Sequence, residues 1–372
     1  MAYEQNKARK QKEAVEAIEK LGGDVSYDQD VRVRSTMLRQ ILGDDSFGAA
    51  KQVALLNTQV TDADLVHLAS LQRLKELMLP GTEITDVGLR HLEGLTQLKH
   101  LWLSGSQVTD EGLQHITRLT RLEKLELANT RVSDAGLVHL AGLQNLQHLD
   151  IRNTQITDAG LVHLTDLKKL GYMRLDKTRV TDAGLEQLSR MIQIEHLNLA
   201  NTLVTDAGLR HLPGLKKLRF LIIDNTQITD TGLAQLADLK ELVFLSVDKT
   251  RVTDAGLEQL SRMKRINSLS IADTLVTDAG LVHLTGLKKL EFLRLENTQI
   301  TDAGLAHLAS IQQLEILDIN NTRVTDAGLV HLSTLTKLYH LQLQKTRVTE
   351  AGVAELKIAL PTCTIFDDSD FR

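Results

Sequence analysis

The sequence contains little cysteine, proline or aromatic residue. Among its 372 residues there are one cysteine, three prolines and only 3% aromatic residues. The single cysteine, Cys363, cannot form an internal disulfide, and the chain has no Cys/His pattern typical of a zinc site. We interpret Cys363 as a free structural thiol. Because rings are so scarce, the position of each one is informative.

Long apolar runs and an excess of positive charge are also absent. No run of eighteen apolar residues occurs, so we predict no membrane-spanning helix and no direct membrane insertion. The amino-terminal stretch lacks the apolar segment of a secretory signal. The chain carries 43 basic and 48 acidic residues, a net charge of -5. It therefore has no positive field to hold a phosphate backbone, and we expect no nucleic-acid partner.

The main feature of the sequence is a period of 24 residues without insertion or deletion. Each repeat reads approximately L-x-x-L-x-L-x-x-T-x-V/I-T-D-A-G-L-x-H-L-x-x-L. A period of this length indicates a repeat array rather than two or three compact domains. The marker threonine, or a serine at one register, occurs at Thr58, Thr82, Ser106, Thr130, Thr154, Thr178, Thr202, Thr226, Thr250, Thr274, Thr298, Thr322 and Thr346.

The first half of each repeat has the pattern of a short strand. In "LQHLDIRNT", Leu149 and Ile151 alternate with polar residues, which is typical of a strand with one buried face. From Asp158 onward leucines recur at three-residue spacing, and we predict about two and a half turns of helix packed against that strand. One unit cannot bury its leucines alone, so neighbouring units must stack into a parallel sheet.

These motifs resemble the leucine-rich repeat family over about residues 50–360. Threonine takes the place of the family's asparagine or cysteine, which is similar to the cysteine-containing subclass of F-box leucine-rich proteins and bacterial effectors. The lead-in "AVEAIEKLGGDVSYD" also resembles leucine-rich repeat proteins of bacteria with complex cell envelopes. The resemblance implies an α/β fold, a right-handed horseshoe-shaped solenoid with a parallel concave β-sheet and helices on the convex side.

The ends of the chain do not repeat and are expected to cap the array. We predict a helix over about residues 4–21, a second short helix near Met37–Leu42, and a final strand around Cys363–Phe366. The predicted parts are an amino-terminal helical cap at 1–48, a thirteen-register array at 49–360, and a carboxy-terminal cap strand with an acidic tail at 361–372.

The repeated threonine, aspartate and glycine are interpreted as structural. Each threonine hydroxyl is expected to donate to a carbonyl of the adjacent repeat, forming a ladder that includes Thr154, Thr178, Thr202, Thr226 and Thr250. Each aspartate is expected to begin a helix after a threonine N-cap, as at Asp158, Asp182, Asp206, Asp230 and Asp254. A calcium site is the alternative, but it needs six to eight converging oxygens, so we predict none. The glycine two residues later is expected to bring the helix close to the strand.

Histidine also recurs once per repeat, in the helical half. Zinc binding is one interpretation, but glutamine, a poor zinc ligand, replaces it at Gln187, Gln235 and Gln259. A stacked polar rung is therefore favoured, and no metal is predicted. No Ser/His/Asp or Cys/His set stands out, so we predict no catalytic residue, no cofactor and no enzymatic activity. The histidines are His67, His91, His115, His139, His163, His211, His283, His307 and His331.

One three-repeat segment is present twice. Residues 166–237 and 238–309 are identical at 51 positions, and most differences fall in or beside the strands. For example, "GYMRLD" in the first copy is "VFLSVD" in the second. The two copies kept the scaffold and changed the sheet face, which indicates that this face carries the specific function.

Five of the six rings in the repeat region lie at outward strand positions. Strand residues that met only water should be polar, so rings flanked by arginine indicate a protein-binding surface. The alternative is that the rings only stack on one another. The predicted binding residues on the concave face are Trp102, His148, Arg152, Tyr172, Arg174, His196, Phe220, Ile222, Phe244, Phe292 and Arg294.

We predict a monomeric, non-enzymatic scaffold that binds a protein or peptide. Two alternatives remain open. One is an adaptor similar to F-box leucine-rich proteins, although residues 1–48 contain no recognisable F-box. The other is an envelope or surface scaffold that self-associates or binds glycan. The location is expected to be cytoplasmic by default if Met1 is the native start, and outside the cytosol if an upstream membrane helix precedes it.

Overall fold

The computed structural model describes residues 2–27, 50–56 and 58–368. The contacts divide the chain into two compact units, Met1–Arg179 and Val180–Arg372. In both units each repeat contributes one strand of three to five residues to a parallel sheet and one short helical segment to the opposite side.

The first unit contains seven strands that pair in chain order. Strand β1 runs antiparallel to β2, with Val25 opposite Val53. Strands β2 to β7 are parallel and in register, as where Leu125 lies opposite Leu149. The bounds are β1 Asp24–Tyr27, β2 Ala50–Ala54, β3 Glu76–Met78, β4 His100–Trp102, β5 Lys124–Glu126, β6 His148–Asp150 and β7 Tyr172–Arg174.

Helix α1 precedes the repeats of the first unit, and one helical segment then follows each strand from β2 to β6. The α-helices are α1 Ala2–Lys20, α2 Asp86–Leu89, α3 Asp110–Leu113, α4 Asp134–Leu137 and α5 Asp158–Leu161. The 3-10 helices are Asp64–Ser70, Arg90–Leu92, Gln114–Ile116, Val138–Leu140 and Val162–Leu164. No helix in the described part of the chain is long and apolar enough to cross a membrane.

The second unit repeats the same arrangement with eight parallel strands. The strands are β8 His196–Asn198, β9 Phe220–Ile222, β10 Phe244–Ser246, β11 Ser268–Ser270, β12 Phe292–Arg294, β13 Ile316–Asp318, β14 His340–Gln342 and β15 Thr364–Phe366. The α-helices are α6 Asp182–Leu188, α7 Asp206–Leu209, α8 Asp230–Gln235, α9 Asp254–Leu260, α10 Asp278–Leu281, α11 Asp302–Leu308, α12 Asp326–Leu329 and α13 Glu350–Ala359. The 3-10 helices are Leu212–Gly214, Leu236–Asp238, Val282–Gly286 and Val330–Leu332.

These elements confirm the predicted α/β solenoid with a parallel sheet, but most helical segments are shorter than expected. Helix α5 has four residues, and the 3-10 helix after it has three. The reason lies in the three-residue spacing of Leu161, Leu164 and Leu167. That spacing is the period of a 3-10 helix, in which residues i and i+3 lie on the same side. All three leucines are buried in the core between helices and sheet.

The amino-terminal helix α1 contacts the first repeat. Ala14, Val15 and Ile18 are buried, and the helix packs on the 3-10 helix Asp64–Ser70. The second helix predicted near Met37–Leu42 lies outside the described residues. At the other end, β15 pairs with β14. The division into two caps and an array stays a prediction.

The cysteine lies just before the last strand and is buried. Burial raises the pKa of the Cys363 thiol to about 11. A thiol with a raised pKa is protonated at neutral pH and is a poor nucleophile. Its environment therefore suits a structural side chain.

The aspartate at the start of a helical segment binds the following repeat at many registers. The amide and the hydroxyl of Thr229 donate to Asp206 Oδ1 at 2.8 Å and to Asp206 Oδ2 at 2.6 Å. We call this pair of bonds the Asp–Thr bridge. It also joins Asp62 to Thr85, Asp86 to Thr109, Asp110 to Ser133, Asp134 to Thr157, Asp182 to Thr205, Asp230 to Thr253, Asp254 to Thr277, Asp278 to Thr301, Asp302 to Thr325 and Asp326 to Thr349.

The bridge threonine also caps its own helix. The Thr229 hydroxyl oxygen accepts a hydrogen bond from the amide of Thr231 at 3.3 Å, at the start of α8. The helix start and the threonine N-cap agree with the sequence prediction. The bond to the preceding repeat's aspartate was not predicted, because only the capping role is visible within one repeat.

The glycine two residues after each aspartate has a different role from the one predicted. A Cβ at Gly232 would collide with Asp206 Oδ1, the carboxylate of the preceding repeat. The same collision is found for glycines at the same position of other repeats, including Gly208 with Asp182. Glycine is therefore needed to admit the bridge carboxylate, rather than to bring the helix onto its own strand.

The marker threonines also differ from the prediction. The Thr154 hydroxyl donates to the carbonyl of Ile151, three residues earlier in its own repeat, at 2.6 Å. The prediction that this hydroxyl donates to a carbonyl of an adjacent repeat is wrong. Asn153 has a φ of 51°, which turns the hydroxyl back toward its own strand. The adjacent repeat is already bound through the backbone, as where Asn153 N–H donates to the Asp176 carbonyl at 2.9 Å.

Gly232→Ala should lower the free energy of unfolding by about 1–3 kcal/mol, because the added methyl group overpacks the Asp–Thr bridge. Urea unfolding measures this loss. The control is Gly142→Ala, where a Cβ would meet no atom within 4 Å. Equal urea midpoints for the two variants would show that the added methyl group at position 232 does not collide with the Asp206 carboxylate.

Thr229→Val should cost about 1.5 kcal/mol, because it keeps the side-chain shape and removes a hydroxyl bonded to a carboxylate. Thr229→Ser should cost little, since Ser133 makes the same bridge to Asp110 at 2.7 and 2.5 Å. Urea unfolding of both variants is the test. A valine variant as stable as the serine variant would mean that the hydroxyl contributes nothing.

Candidate binding surface

The predicted binding residues lie on the open face of the sheet. In β9, Leu221 points into the core and is fully buried, whereas Phe220 and Ile222 face away and are half-buried. Arg152 follows β6 by two residues. The first unit holds Trp102, His148, Arg152, Tyr172 and Arg174, and the second holds His196, Phe220, Ile222, Phe244, Phe292 and Arg294. Their role in binding stays a prediction.

Trp102, at the end of β4, has aromatic and charged neighbours. Its ring lies 5.6 Å from the His100 ring, centroid to centroid, in a T-shaped arrangement. Lys124 Nζ lies 5.1 Å from the tryptophan ring centroid and 2.8 Å from Glu126 Oε1. The cation over the ring face is attractive and orients the indole.

A depression of about 320 Å³ lies on the open face of the first unit. The rings of His148 and Tyr172 stack there, with centroids 5.3 Å apart and an angle of 29° between planes. Small-ligand sites measure about 300–1,000 Å³, so this depression has room for a few side chains of a partner. It is lined by Lys124, Leu125, Glu126, His148, Asp150, Arg152, Tyr172 and Arg174.

Asp150 lies between two arginines in this depression. Its Oδ2 is 3.6 Å from Arg152 Nε and 3.8 Å from Arg174 Nη1. Burial has the larger effect and raises the pKa of Asp150. Burial and the nearby Lys124 lower the pKa of His148, so its ring is neutral at neutral pH. The lining thus contains paired charges and neutral rings.

Aromatic and aliphatic side chains form a column in the second unit, which we call the ring column. His196 stacks on Phe220 with centroids 4.1 Å apart and planes at 7°. Phe220 stacks on Phe244 at 6.2 Å and 25°. Register aligns the first residues of the strands, which are all half-buried: His196, Phe220, Phe244, Ser268, Phe292, Ile316 and His340. Their outer parts are available to a partner.

A charged cluster lies beside the ring column. The guanidinium of Arg294 is 3.1 Å from Asp248 Oδ2 and 3.2 Å from Asp318 Oδ2, and it also contacts Glu296. Three carboxylates around one guanidinium leave an excess of negative charge. We call Asp224, Asp248, Glu296 and Asp318 the acidic cluster.

Asp224 completes the acidic cluster. Its Oδ1 accepts hydrogen bonds from Ser246 Oγ at 2.6 Å and from the Asp248 amide at 2.9 Å. Burial raises the pKa of Asp224, and it also raises the pKa of Asp318. Raised values mean that the surroundings do not fully compensate these negative charges.

The sequence did not assign Asp224, Asp248 or Glu296 to the surface. Each lies two residues after the end of its strand, so it is not among the three residues that form the strand. In an extended strand every second residue faces the same side. Had this alternation been continued two residues past the strand, it would have placed these carboxylates on the open face, because the chain turns only at the residue after each of them. Lys249, for example, has a φ of 57°.

The histidine column of the helical segments has no uniform set of contacts. His115 Nδ1 lies 2.6 Å from Glu93 Oε1, whereas the Oε1 atoms of Gln187 and Gln235 are buried without a hydrogen-bond partner. Within residues 2–27, 50–56 and 58–368, no three His, Cys, Asp or Glu side chains lie close enough to hold a metal ion.

Asp224→Asn should raise the free energy of unfolding at neutral pH, because the amide oxygen can accept the same hydrogen bonds without a buried charge. The pKa of Asp224 is raised above its usual 3.8, so wild-type stability increases as pH falls through the folded-state value. The variant's advantage should therefore shrink on acidification. Urea unfolding at several pH values tests this, with the exposed Asp166→Asn as control. An advantage that grew toward acid pH would contradict it.

Family models and solved structures match this architecture. A model described as leucine-rich repeats in two copies matches residues 120–169, and a leucine-rich repeat model matches residues 94–116. An internalin from Listeria monocytogenes is 24% identical with a TM-score of 0.67, covering 86% of each chain. A leucine-rich repeat protein from Leptospira interrogans is 18% identical with a TM-score of 0.58, covering 81% of this chain and 80% of that one.

A third structure is the functional domain of InlJ from Listeria monocytogenes, which includes a cysteine ladder. It is 18% identical with a TM-score of 0.52, covering 81% of this chain and 64% of that one. A comparison with curated protein sequences found no match. At these identities the structural likeness establishes the fold, and the repeat models identify the repeats. The chain thus contains leucine-rich repeats at residues 94–116 and 120–169, and its fold is that of bacterial leucine-rich repeat proteins.

Proposed function

We propose that this protein is a non-enzymatic scaffold that binds a protein or peptide on the open face of its sheet. The ring column of the second unit is the observation that supports this most. Phe220, Phe244 and Phe292 stand half-buried on the face that points away from the core. A partner that covers them removes apolar area from water, which contributes about 25 cal/mol per Å².

The depression of the first unit adds polar specificity to this proposal. Tyr172 and Arg174 line it, and tyrosine and arginine are enriched among residues that dominate binding energy. Their neighbours Asp150 and Arg152 offer both an acceptor and a donor to a partner's polar groups. We infer that rings supply the binding energy and that the paired charges select the partner.

The repeat scaffold itself does not determine the partner. Leucine-rich repeat folds support many unrelated interactions, so the specific function lies in the variable positions of the sheet face. The difference between the two 72-residue copies supports this, since their 51 identities lie mainly outside the strands.

Three other functions could use the same surface, and direct measurements distinguish them from the proposed one. A scaffold that self-associates would show a mass above 41.3 kDa in light scattering, whereas our proposal expects a monomer. A glycan-binding protein would give a signal on a glycan panel that is lost with Tyr172→Ala. An adaptor similar to F-box proteins would recover ligase subunits in the capture experiment that follows.

Phe220→Ala/Phe244→Ala should reduce recovery of the partner by more than tenfold in affinity capture from the native host. Each ring in a hot spot contributes about 2 kcal/mol, and about 1.4 kcal/mol changes affinity tenfold. Recovery is quantified by mass spectrometry against wild type. The control is Val330→Ala, which shortens an exposed side chain on the helix side. Equal recovery from wild type, the double variant and the control would end the proposal.

A further inference from the structure

The ring column of the second unit has one gap, at Ser268. Register places Ser268 between Phe244 on β10 and Phe292 on β12. Parallel strands lie about 4.8 Å apart, so the two phenylalanine backbones are about 9.6 Å apart across this gap. The Ser268 hydroxyl donates to Asn267 Oδ1 at 3.1 Å and does not reach between the rings. We call the space above Ser268 the Ser268 slot.

The duplicated sequence shows what fits at this register. His196 in the first copy corresponds to Ser268 in the second, and Phe220 corresponds to Phe292. His196 stacks on Phe220 at 4.1 Å with nearly parallel planes. A flat side chain therefore lies beside the corresponding ring in one copy, whereas the other copy has the much shorter serine at that position.

Only part of the surface above β11 is covered by the protein itself. Ser270 is small and buried, and its hydroxyl donates to Asp248 Oδ1 at 2.6 Å. Arg294 crosses over β11 to reach Asp248 Oδ2 at 3.1 Å, two strands away. The guanidinium thus lies over the carboxy-terminal end of β11, whereas the Ser268 slot lies over the first residue of the same strand.

The charges on the same open face, toward the carboxy-terminal ends of the strands, favour a cation. Arg294 contacts three carboxylates of the acidic cluster, and Asp224 adds a fourth nearby. Burial raises the pKa of Asp224 and of Asp318, which indicates negative charge that is not fully compensated. A partner's cation would lower the energy of these ionised carboxylates, whereas an anion would raise it.

We propose that the Ser268 slot binds an arginine side chain of a peptide partner, with its guanidinium between the rings of Phe244 and Phe292. The inference rests on the proposed function and names the chemistry of one contact. A guanidinium is planar, stacks on aromatic faces and keeps its charge, so it suits a flat slot on a face that also carries the acidic cluster. An ammonium is compact and more strongly hydrated, so lysine suits the slot less well.

Selection from a displayed library of random peptides tests the proposal with the full chain. Wild type should enrich peptides that share an arginine. Ser268→His closes the slot with the residue found at position 196 and should lose that enrichment, while Ser310→His, an exposed position on the helix side, should keep it. Thermal unfolding of each variant checks that the fold is intact. If wild type instead enriched aromatic or acidic residues, or if Ser268→His retained the arginine motif, the proposal that the slot binds arginine would be wrong.

A synthetic copy of the enriched peptide gives the quantitative test. Replacing its arginine with citrulline keeps the shape and removes the charge, and this should weaken binding to wild type about tenfold. The same replacement should change binding to Ser268→His by less than twofold. Equal affinities of the arginine and citrulline peptides for wild type would refute the cation in the slot.

The two proposals fail in different ways. If peptides bind and Phe220→Ala/Phe244→Ala abolishes binding, but citrulline has no effect, the sheet face is a binding surface and the slot proposal alone is wrong. If wild type enriches no peptide and captures no partner from the host, the proposed function fails as well.

Discussion

The Asp–Thr bridge is the interaction on which the repeat architecture depends. One carboxylate accepts two hydrogen bonds from the next repeat, and the threonine that donates them also caps its own helix. Glycine two residues after the helix-start aspartate admits the carboxylate of the preceding repeat, since Gly232 has no room for a Cβ. The carboxylate, the threonine hydroxyl and the glycine thus all meet at one place between neighbouring repeats. Leucines supply the burial energy, but they pack without direction, and the bridge aligns each helix with its neighbour.

This arrangement separates the residues that stabilise the fold from those on the open face of the sheet. The bridge, the leucine core and the marker threonines all lie on the helix side of the strands or within the core, so none of them needs the outward strand residues. Phe244 or Ser268 can therefore change without loss of the fold. The second unit uses this freedom to combine a ring column with an acidic cluster held around Arg294. Charged and apolar side chains lie beside each other on this face because an outward strand position can carry a side chain of either kind.

The sequence predicted the fold well because repeat spacing reports burial directly. Leucine at alternating positions predicts each strand, and the threonine before Asp206 predicts a helix start. The bridge could not be read from one repeat, because Asp206 and Thr229 are 23 residues apart and each has a sufficient local role. The acidic cluster was partly missed for a similar reason. Asp224 and Asp248 lie beyond the strands, and their pairing with Ser246 and Arg294 depends on neighbouring repeats.

The bridge also explains why the period contains no insertion or deletion. Its two hydrogen bonds and its glycine must meet an oxygen pair one repeat away, so a single extra residue between them would remove all three contacts at once. Whole repeats, in contrast, bring a complete aspartate and a complete threonine with them. The 72-residue duplication adds three complete repeats of 24 residues, so each copied aspartate keeps a threonine partner. A complete segment can thus be copied and its outward strand residues altered, while every Asp–Thr bridge in the copy keeps both of its partners.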